Sequence, residues 1–144
     1  MSAAENAKLT EAWKALWNGD LSQTPKIISP DFVAHAAPIT GFGDDTVHGP
    51  EGLNAWVTGI HALLPDLSFE LNVGPIAADD YLVVRWQAEG TYGGGFPGAP
   101  EDAIGNHVRF TGTDTLLIKD GLIVEYWANA DSLLFVQQLG LRLQ

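Results

Sequence analysis

The hydrophobic period of the chain changes near Pro65, and this change restricts the fold more than any other feature. Before Pro65, apolar residues recur at the spacing of amphipathic helices. Two such faces are Leu9, Trp13, Leu16 and Trp17, and then Leu53, Trp56, Val57, Ile60 and Leu64. After Pro65, apolar and polar residues alternate as in half-buried strands. Helices followed by a run of strands predict an α+β domain, with helices packed on one face of a curved antiparallel sheet.

Turn and capping residues divide the first part of the chain into segments. The predicted segments are a helix ending at Asn18-Gly19, a short helix from Thr24-Pro25 that Pro30 stops, a strand over residues 32–36, a loop from Pro38 through Gly41 to Gly49, and a helix from Gly49 to Pro65. The loop therefore lies between the strand over residues 32–36 and the helix that begins at Gly49.

Four strands are predicted after Pro65, over residues 68–73, 81–91, 106–118 and 122–127. The turns Asp79-Asp80 and Asp120-Gly121 join consecutive strands, which predicts an antiparallel meander. A short helix is predicted to begin at Asp131-Ser132 and to end at Gly140.

The length of 144 residues predicts a single domain, residues 1–144, that can bury one core and enclose a modest pocket. The chain contains no cysteine. Disulfides, a thiol nucleophile and thiolate zinc sites are therefore excluded. Any catalytic group must therefore be a carboxylate, histidine, tyrosine, serine or lysine side chain.

The charge of the chain restricts its partners. Asp and Glu number 18 against 7 Lys and Arg, a formal net charge of -11. Nucleic acid and anionic membranes are poor partners for such a chain, because phosphate contacts need clustered basic residues. The sequence shows neither a secretory signal pattern nor an apolar run long enough to span a membrane. We expect a cytoplasmic protein with a neutral or cationic small-molecule partner.

Two features of the sequence, a glycine-rich segment and the four histidines, give only weak evidence for a cofactor site or a metal site. Residues 93–98 read Gly-Gly-Gly-Phe-Pro-Gly and match a dinucleotide-binding pattern, but Pro97 and Pro100 exclude the helix that this pattern needs. The segment is predicted to be a flexible loop, which could serve as a lid if it lies at a pocket mouth. The four histidines lie at no ligand spacing, so no metal is expected.

Asp131 is the carboxylate of most interest, because it lies where the last strand gives way to the closing helix. It can cap that helix, which would lower its pKa. Alternatively, burial beside Trp127 would raise its pKa, and Ser132 would then take over the capping. The sequence leaves both interpretations open.

Several short motifs resemble the SnoaL-like polyketide cyclases of the nuclear transport factor 2-like superfamily. The motifs are His48-Gly49-Pro50-Glu51-Gly52, Leu64-Pro65-Asp66-Leu67, Val83-Val84-Arg85-Trp86 leading to Gly90-Thr91, Glu125-x-Trp127-x-x-x-Asp131, and Gln137-Gln138-Leu139-Gly140. The order and spacing of residues resemble the family from about Trp13 to Gly140. The resemblance therefore covers nearly the whole chain.

The resemblance implies a cone-shaped α+β barrel with a deep pocket, a homodimer or homotetramer, and no cofactor. Founding members close the last ring of an aromatic polyketide by intramolecular aldol condensation of an ester. The family's acid/base aspartate matches Asp131, and a substrate-contacting residue on the first strand matches His35. Members of the family also have a histidine on the penultimate strand. This chain has no histidine at the corresponding distance from Asp131, although His107 lies on the same predicted strand.

These residues suggest a mechanism in which Asp131 removes a proton from a carbon flanked by carbonyl groups. His35 or His107 would polarise the carbonyl, with Tyr126 as a further candidate that strand alternation places opposite Trp127. The predicted apolar walls of the pocket are Trp13, Trp17, Trp56, Trp86 and Trp127. The alternatives are another acid/base enzyme of this type, such as an isomerase, dehydratase or hydroxylase-like member, and a non-catalytic binding module for an apolar small molecule.

Overall fold

The computed structural model describes residues 2–38 and 43–142, so the predicted loop residue Gly41 lies outside the described residues. Helix α1 spans Ala3–Trp17. Ser2 caps it, because the Ser2 hydroxyl accepts a hydrogen bond from the Glu5 amide at 3.1 Å. The helix ends at Asn18, and Gly19 follows with a φ of 105°. The predicted end at Asn18-Gly19 is confirmed.

The next elements differ from the prediction around Pro30. Helix α2 is a single turn, Thr24–Ile27, and strand β1 follows at once as Ile28–His35. Pro30 therefore lies inside a strand instead of ending a helix. The pairing of β1 is irregular between Ile28 and Val33, and an irregular stretch of strand tolerates a residue without an N–H donor.

Strand β2, Thr46–His48, lies within the predicted loop and pairs antiparallel with β1. Helix α3, Gly49–Leu63, begins where the sequence predicts, with Pro50 in its first turn. It buries Leu53 and Val57.

The four predicted strands are present as a meander. They are β3, Ser68–Ala78; β4, Tyr81–Thr91; β5, His107–Lys119; and β6, Leu122–Ala130. The turn residues Asp79 and Asp120 have φ values of 53° and 52°, a conformation that aspartate tolerates better than most residues. Helix α4, Ser132–Gln138, follows β6.

The sheet has six strands in the order β2-β1-β6-β5-β4-β3. Strand β1 pairs parallel with β6, so the sheet is mixed instead of wholly antiparallel as predicted. Parallel neighbours need a long connection, and the chain between β1 and β6 supplies one by running through α3 and the meander. Among the described residues the curved sheet does not close on itself, since β2 and β3 form its two edges.

The core lies between the inner face of the sheet and the helices. Helix α1 packs on β3, α3 packs on β1, and α4 packs on β5. The glycine-rich segment 93–98 forms no helix, as predicted, and it lines neither of the two cavities described below. The structure therefore gives no support to a lid formed by this segment. No helix in the described ranges has the length and apolar character needed to cross a membrane.

Candidate active site

A cavity of about 490 Å³ lies between the inner face of the sheet and helices α1 and α3. This volume suits a small organic ligand. The wall is mostly aromatic, and its rings are Trp13, Trp17, Trp56, Phe69, Trp86, Phe110 and Tyr126. Polar residues lie mainly at the rim, where Lys14 and Ser132 are half-buried and Asp44 and Asn129 are exposed.

Asp114 is the buried carboxylate of this cavity. It lies in the middle of β5, where alternation turns residues 108, 110, 112, 114, 116 and 118 toward the core, and only 4% of it is exposed. Its Oδ1 accepts hydrogen bonds from Trp86 Nε1 at 3.0 Å and from the Tyr126 hydroxyl at 2.8 Å. Its Oδ2 accepts one from Trp13 Nε1 at 3.0 Å. The carboxylate thus joins α1, β4, β5 and β6.

Two opposing effects set the proton affinity of Asp114. Burial raises its pKa, because a low-polarity surrounding disfavours the charged form. The hydrogen bonds from Trp13, Trp86 and Tyr126 act in the other direction, and the effect of burial is larger. Burial, and next the negative charge of Asp114, also raise the pKa of Tyr126 well above its usual value, so the phenol stays a neutral donor.

One oxygen of Asp114 has an acceptor site that no protein hydrogen bond among the described residues occupies. A carboxylate offers about four acceptor sites, roughly two on each oxygen. Oδ1 accepts two donors, whereas Oδ2 accepts only the Trp13 indole. Oδ2 therefore retains capacity to accept a proton from a bound molecule.

Gly112 allows Trp86 to take its place beside Asp114. Gly112 is paired with Trp86 across β4 and β5. A Cβ atom at position 112 would overlap the Trp86 ring at Cζ2 and Cε2. The absence of a side chain lets the indole lie against the β5 backbone, with its N–H directed at Asp114 Oδ1.

The structure brings most of the predicted aromatic residues together. Trp13, Trp17, Trp56, Trp86 and Tyr126 all line the cavity. Trp127 does not line it, and its ring stacks with that of His35 at a centroid distance of 5.5 Å in a second, more open cavity of about 470 Å³. The prediction that Trp127 faces inward and Tyr126 outward is wrong.

A bulge in β6 explains this reversal. Ile118 pairs with Ile123 and Leu117 pairs with Glu125, so Val124 is an extra residue in the β5–β6 ladder. The extra residue shifts the alternation, and Ile123 and Tyr126 are both buried although they are three positions apart. Uninterrupted alternation from Ile123 would instead have turned Trp127 inward.

Asp131 lies outside the cavity. It is exposed, and its Oδ1 accepts a hydrogen bond from the Leu134 amide at 3.3 Å as the N-cap of α4. The capping interpretation is confirmed, and the alternative interpretation, in which Asp131 is buried and Ser132 caps the helix, is wrong. The carboxylate reaches the first turn of α4 from the solvent side, which is where the unpaired helix amides lie.

The two predicted histidines also lie away from Asp114. His107 is on the outer side of the sheet, and its Nε2 lies 3.1 Å from Glu89 Oε2. His35 lines the second cavity, and its Nε2 lies 2.6 Å from Glu125 Oε2. Neither histidine lines the aromatic cavity.

Sequence reasoning missed Asp114, although a signal for it existed. Residues 108–118 alternate, and Asp114 occupies the apolar set with Val108, Phe110, Leu116 and Ile118. A carboxylate on an otherwise apolar strand face is rare enough to mark a functional candidate. In the described ranges, no group of three or more histidine and carboxylate residues is arranged to hold a metal ion.

Solved structures from several bacteria resemble this chain along nearly its whole length. TsrD from Streptomyces laurentii is 26% identical, with a TM-score of 0.81, covering 97% of this chain and 98% of TsrD. AclR from Streptomyces galilaeus, named as a candidate hydroxylase, is 28% identical with a TM-score of 0.78, covering 96% and 83%. IdmH from Streptomyces antibioticus, named as a candidate polyketide cyclase, is 26% identical with a TM-score of 0.76, covering 94% and 98%. No curated protein sequence matches the chain.

The family model described as SnoaL-like polyketide cyclase matches residues 7–139. These residues include α1 from Ala7 onward, all of α3 and α4, and all six strands, and therefore the helix and strand residues that line the aromatic cavity. The chain belongs to the SnoaL-like polyketide cyclase family, with the fold of the nuclear transport factor 2-like superfamily.

Proposed function

We propose that this protein is a cyclase that closes a ring in a polyketide ester by intramolecular aldol condensation, without a cofactor, with Asp114 as acid/base residue. The observation that carries the proposal is the Asp114 carboxylate, buried in an aromatic cavity with an acceptor site left on Oδ2. In this proposal Asp114 has the acid/base role that the family resemblance implied for Asp131.

In the proposed reaction, Asp114 Oδ2 removes a proton from a carbon flanked by carbonyl groups, and the C–H electron pair becomes an enolate. The enolate carbon then attacks a ketone of the same molecule and forms the new C–C bond. The resulting alkoxide takes the proton back from Asp114, so the enzyme returns to its starting state. General acid–base catalysis of this kind typically contributes about 10²–10⁴-fold.

The surroundings of Asp114 support this role in two ways. Its raised pKa brings the carboxylate closer to the proton affinity that a base needs near neutral pH. The donors Trp13, Trp86 and Tyr126 fix the orientation of the carboxylate, and the aromatic walls can hold a folded polyketide chain with its reacting carbons close together.

Replacing Asp114 by asparagine tests the proposal. We expect Asp114→Asn to keep the fold and the affinity for a polycyclic aromatic ligand, and to lower turnover of a competent polyketide ester by about 10²–10⁴-fold. Ligand affinity would be measured by calorimetry and turnover by chromatography of the cyclised product. Asp131→Asn is the matched control, because Asp131 is exposed and lies outside the cavity.

A specific observation also favours a second candidate, a non-catalytic module that binds an apolar small molecule. The hydrogen bonds of Asp114 join α1, β4 and β6, which is a structural role in itself. Ligand binding without turnover by the wild type would support this candidate. Turnover that survives Asp114→Asn would instead support an isomerase, dehydratase or hydroxylase-like reaction, or another acid/base reaction, that uses a different group. The homodimer or homotetramer implied by the resemblance stays a prediction.

A further inference from the structure

The rim of the aromatic cavity carries one cationic side chain, Lys14, among the described residues that line it. Lys14 lies in the last turn of α1, next to Trp13, and it is half-buried. No described carboxylate lies within ion-pair distance of its ammonium group. The chain has only 7 Lys and Arg residues and a net charge of -11, so a lysine at the cavity that forms no ion pair with a described carboxylate is a marked feature of this site.

The cavity therefore has two chemically different ends. Asp114 is 4% exposed and lies deep among the aromatic rings, whereas Lys14 lies at the solvent side with Asn129 and Ser132. A molecule that fills this space would have an apolar ring body inside and a polar group at the mouth.

We infer that the ligand of this cavity carries an ionised carboxylate in addition to the ester of the proposed reaction, and that this carboxylate pairs with Lys14 at the mouth while the ring body meets Asp114. The inference depends on the cavity being the ligand site, as the proposed function does, and it adds the charge of the substrate. An anionic ligand is not what the net negative charge of the protein predicts, since that charge by itself favours neutral or cationic ligands.

Asp44 restricts where the carboxylate can lie. Its side chain also lines the rim, and its Oδ1 accepts hydrogen bonds from the Thr46 hydroxyl at 2.8 Å and from the Thr46 amide at 3.0 Å. These bonds, the hydroxyl first, lower the pKa of Asp44, so this carboxylate is ionised near neutral pH. Asp44 repels an anion, so its charge disfavours a ligand carboxylate close to it and should weaken the preference that Lys14 creates.

The test compares matched aromatic ligands by calorimetry: naphthalene and anthracene carboxylates, their methyl esters and their carboxamides. We expect the wild-type protein to bind each carboxylate about threefold to fivefold more tightly than its ester or amide. The preference should shrink as salt is added. Lys14→Met should abolish the preference, Lys14→Arg should retain it, and Asp44→Asn should increase it.

Lys8→Met is the matched control, because Lys8 lies on the same helix, is exposed, does not line the cavity, and changes the net charge by the same amount. Lys14 could instead serve only to stabilise the end of α1, and in that case Lys14→Met would lower the melting temperature while the carboxylate preference stayed unchanged. Equal binding of carboxylate and ester by the wild type, or no binding of any pair, would overturn the inference.

The Asp114→Asn variant separates this inference from the proposed function. If it loses turnover but keeps the carboxylate preference, both ideas stand. If turnover persists in Asp114→Asn while Lys14→Met abolishes the preference, the catalytic role of Asp114 fails and the assignment of Lys14 holds.

Discussion

At the scale of single residues, Asp114 determines both the polarity of the cavity and the connection between its walls. Trp13, Trp86 and Tyr126 belong to different elements, and each directs its donor at the same carboxylate. Burying three donors and one carboxylate is tolerable only because they satisfy one another. Changes at position 114 should therefore affect stability in proportion to the donors they leave unpaired.

Asp114→Ala removes every acceptor at this point and leaves three buried donors without a partner. Each such donor costs about 1–3 kcal/mol, so we expect a loss of several kcal/mol in the free energy of unfolding. Asp114→Asn can keep its amide oxygen at the Oδ1 position and so retains the bonds from Trp86 and Tyr126. Its NH2 group then faces the Trp13 indole N–H, and the smaller number of lost bonds predicts a smaller loss than in Asp114→Ala. Urea unfolding measures both values. Equal losses would show that the three hydrogen bonds contribute little.

The raised pKa of Asp114 also predicts how stability changes with pH. Because the pKa is higher in the folded than in the unfolded protein, ionisation of Asp114 opposes folding. Its favourable contribution is complete below the usual value of 3.8 and is lost as pH rises through the folded pKa. The stability of the wild type relative to Asp114→Asn should therefore fall with rising pH over this range.

Thermal unfolding of the two proteins at a series of pH values measures this difference. A relative stability that rises with pH would mean that the folded pKa is lowered. The three hydrogen bonds would then outweigh burial.

At the scale of elements, the contact between β4 and β5 depends on one glycine. We expect Gly112→Ala to push the Trp86 ring away from β5 and to break its hydrogen bond to Asp114. The loss should be about 1–3 kcal/mol from overpacking, together with weaker ligand binding. Gly59→Ala is the control, because a Cβ there meets no atom within 4 Å and alanine favours the helix. Similar effects of the two substitutions would contradict this account of Gly112.

The elements themselves were largely predictable, and their exceptions have local causes. Strand β4 begins and ends where the alternation predicts, and α3 begins at Gly49 as the Gly-Pro pair indicates. Strand β2 was missed because three residues give too short a pattern. The bulge at Val124 was missed because the extra residue appears only when β6 is paired with β5.

At the scale of the whole molecule, the open mixed sheet and the helices together create the cavity. The inner face of the sheet supplies Trp86, Phe110 and Asp114, while α1 and α3 supply Trp13, Trp17 and Trp56. No single element could form this site, because each contributes one wall. The proposed reaction class depends on this assembly.

Local sequence patterns predict the α+β class, the meander, the closing helix after Asp131 and the placement of most aromatic residues in one core. These properties follow from local periodicity and turn chemistry, which need only neighbouring residues. Contacts between distant parts of the chain determine that β1 runs parallel to β6, that Tyr126 and not Trp127 faces inward, and that Asp114 and not Asp131 lies in the cavity. Strand register and burial depend on partners far along the chain, such as Trp13 and Asp114, and local patterns do not contain that information.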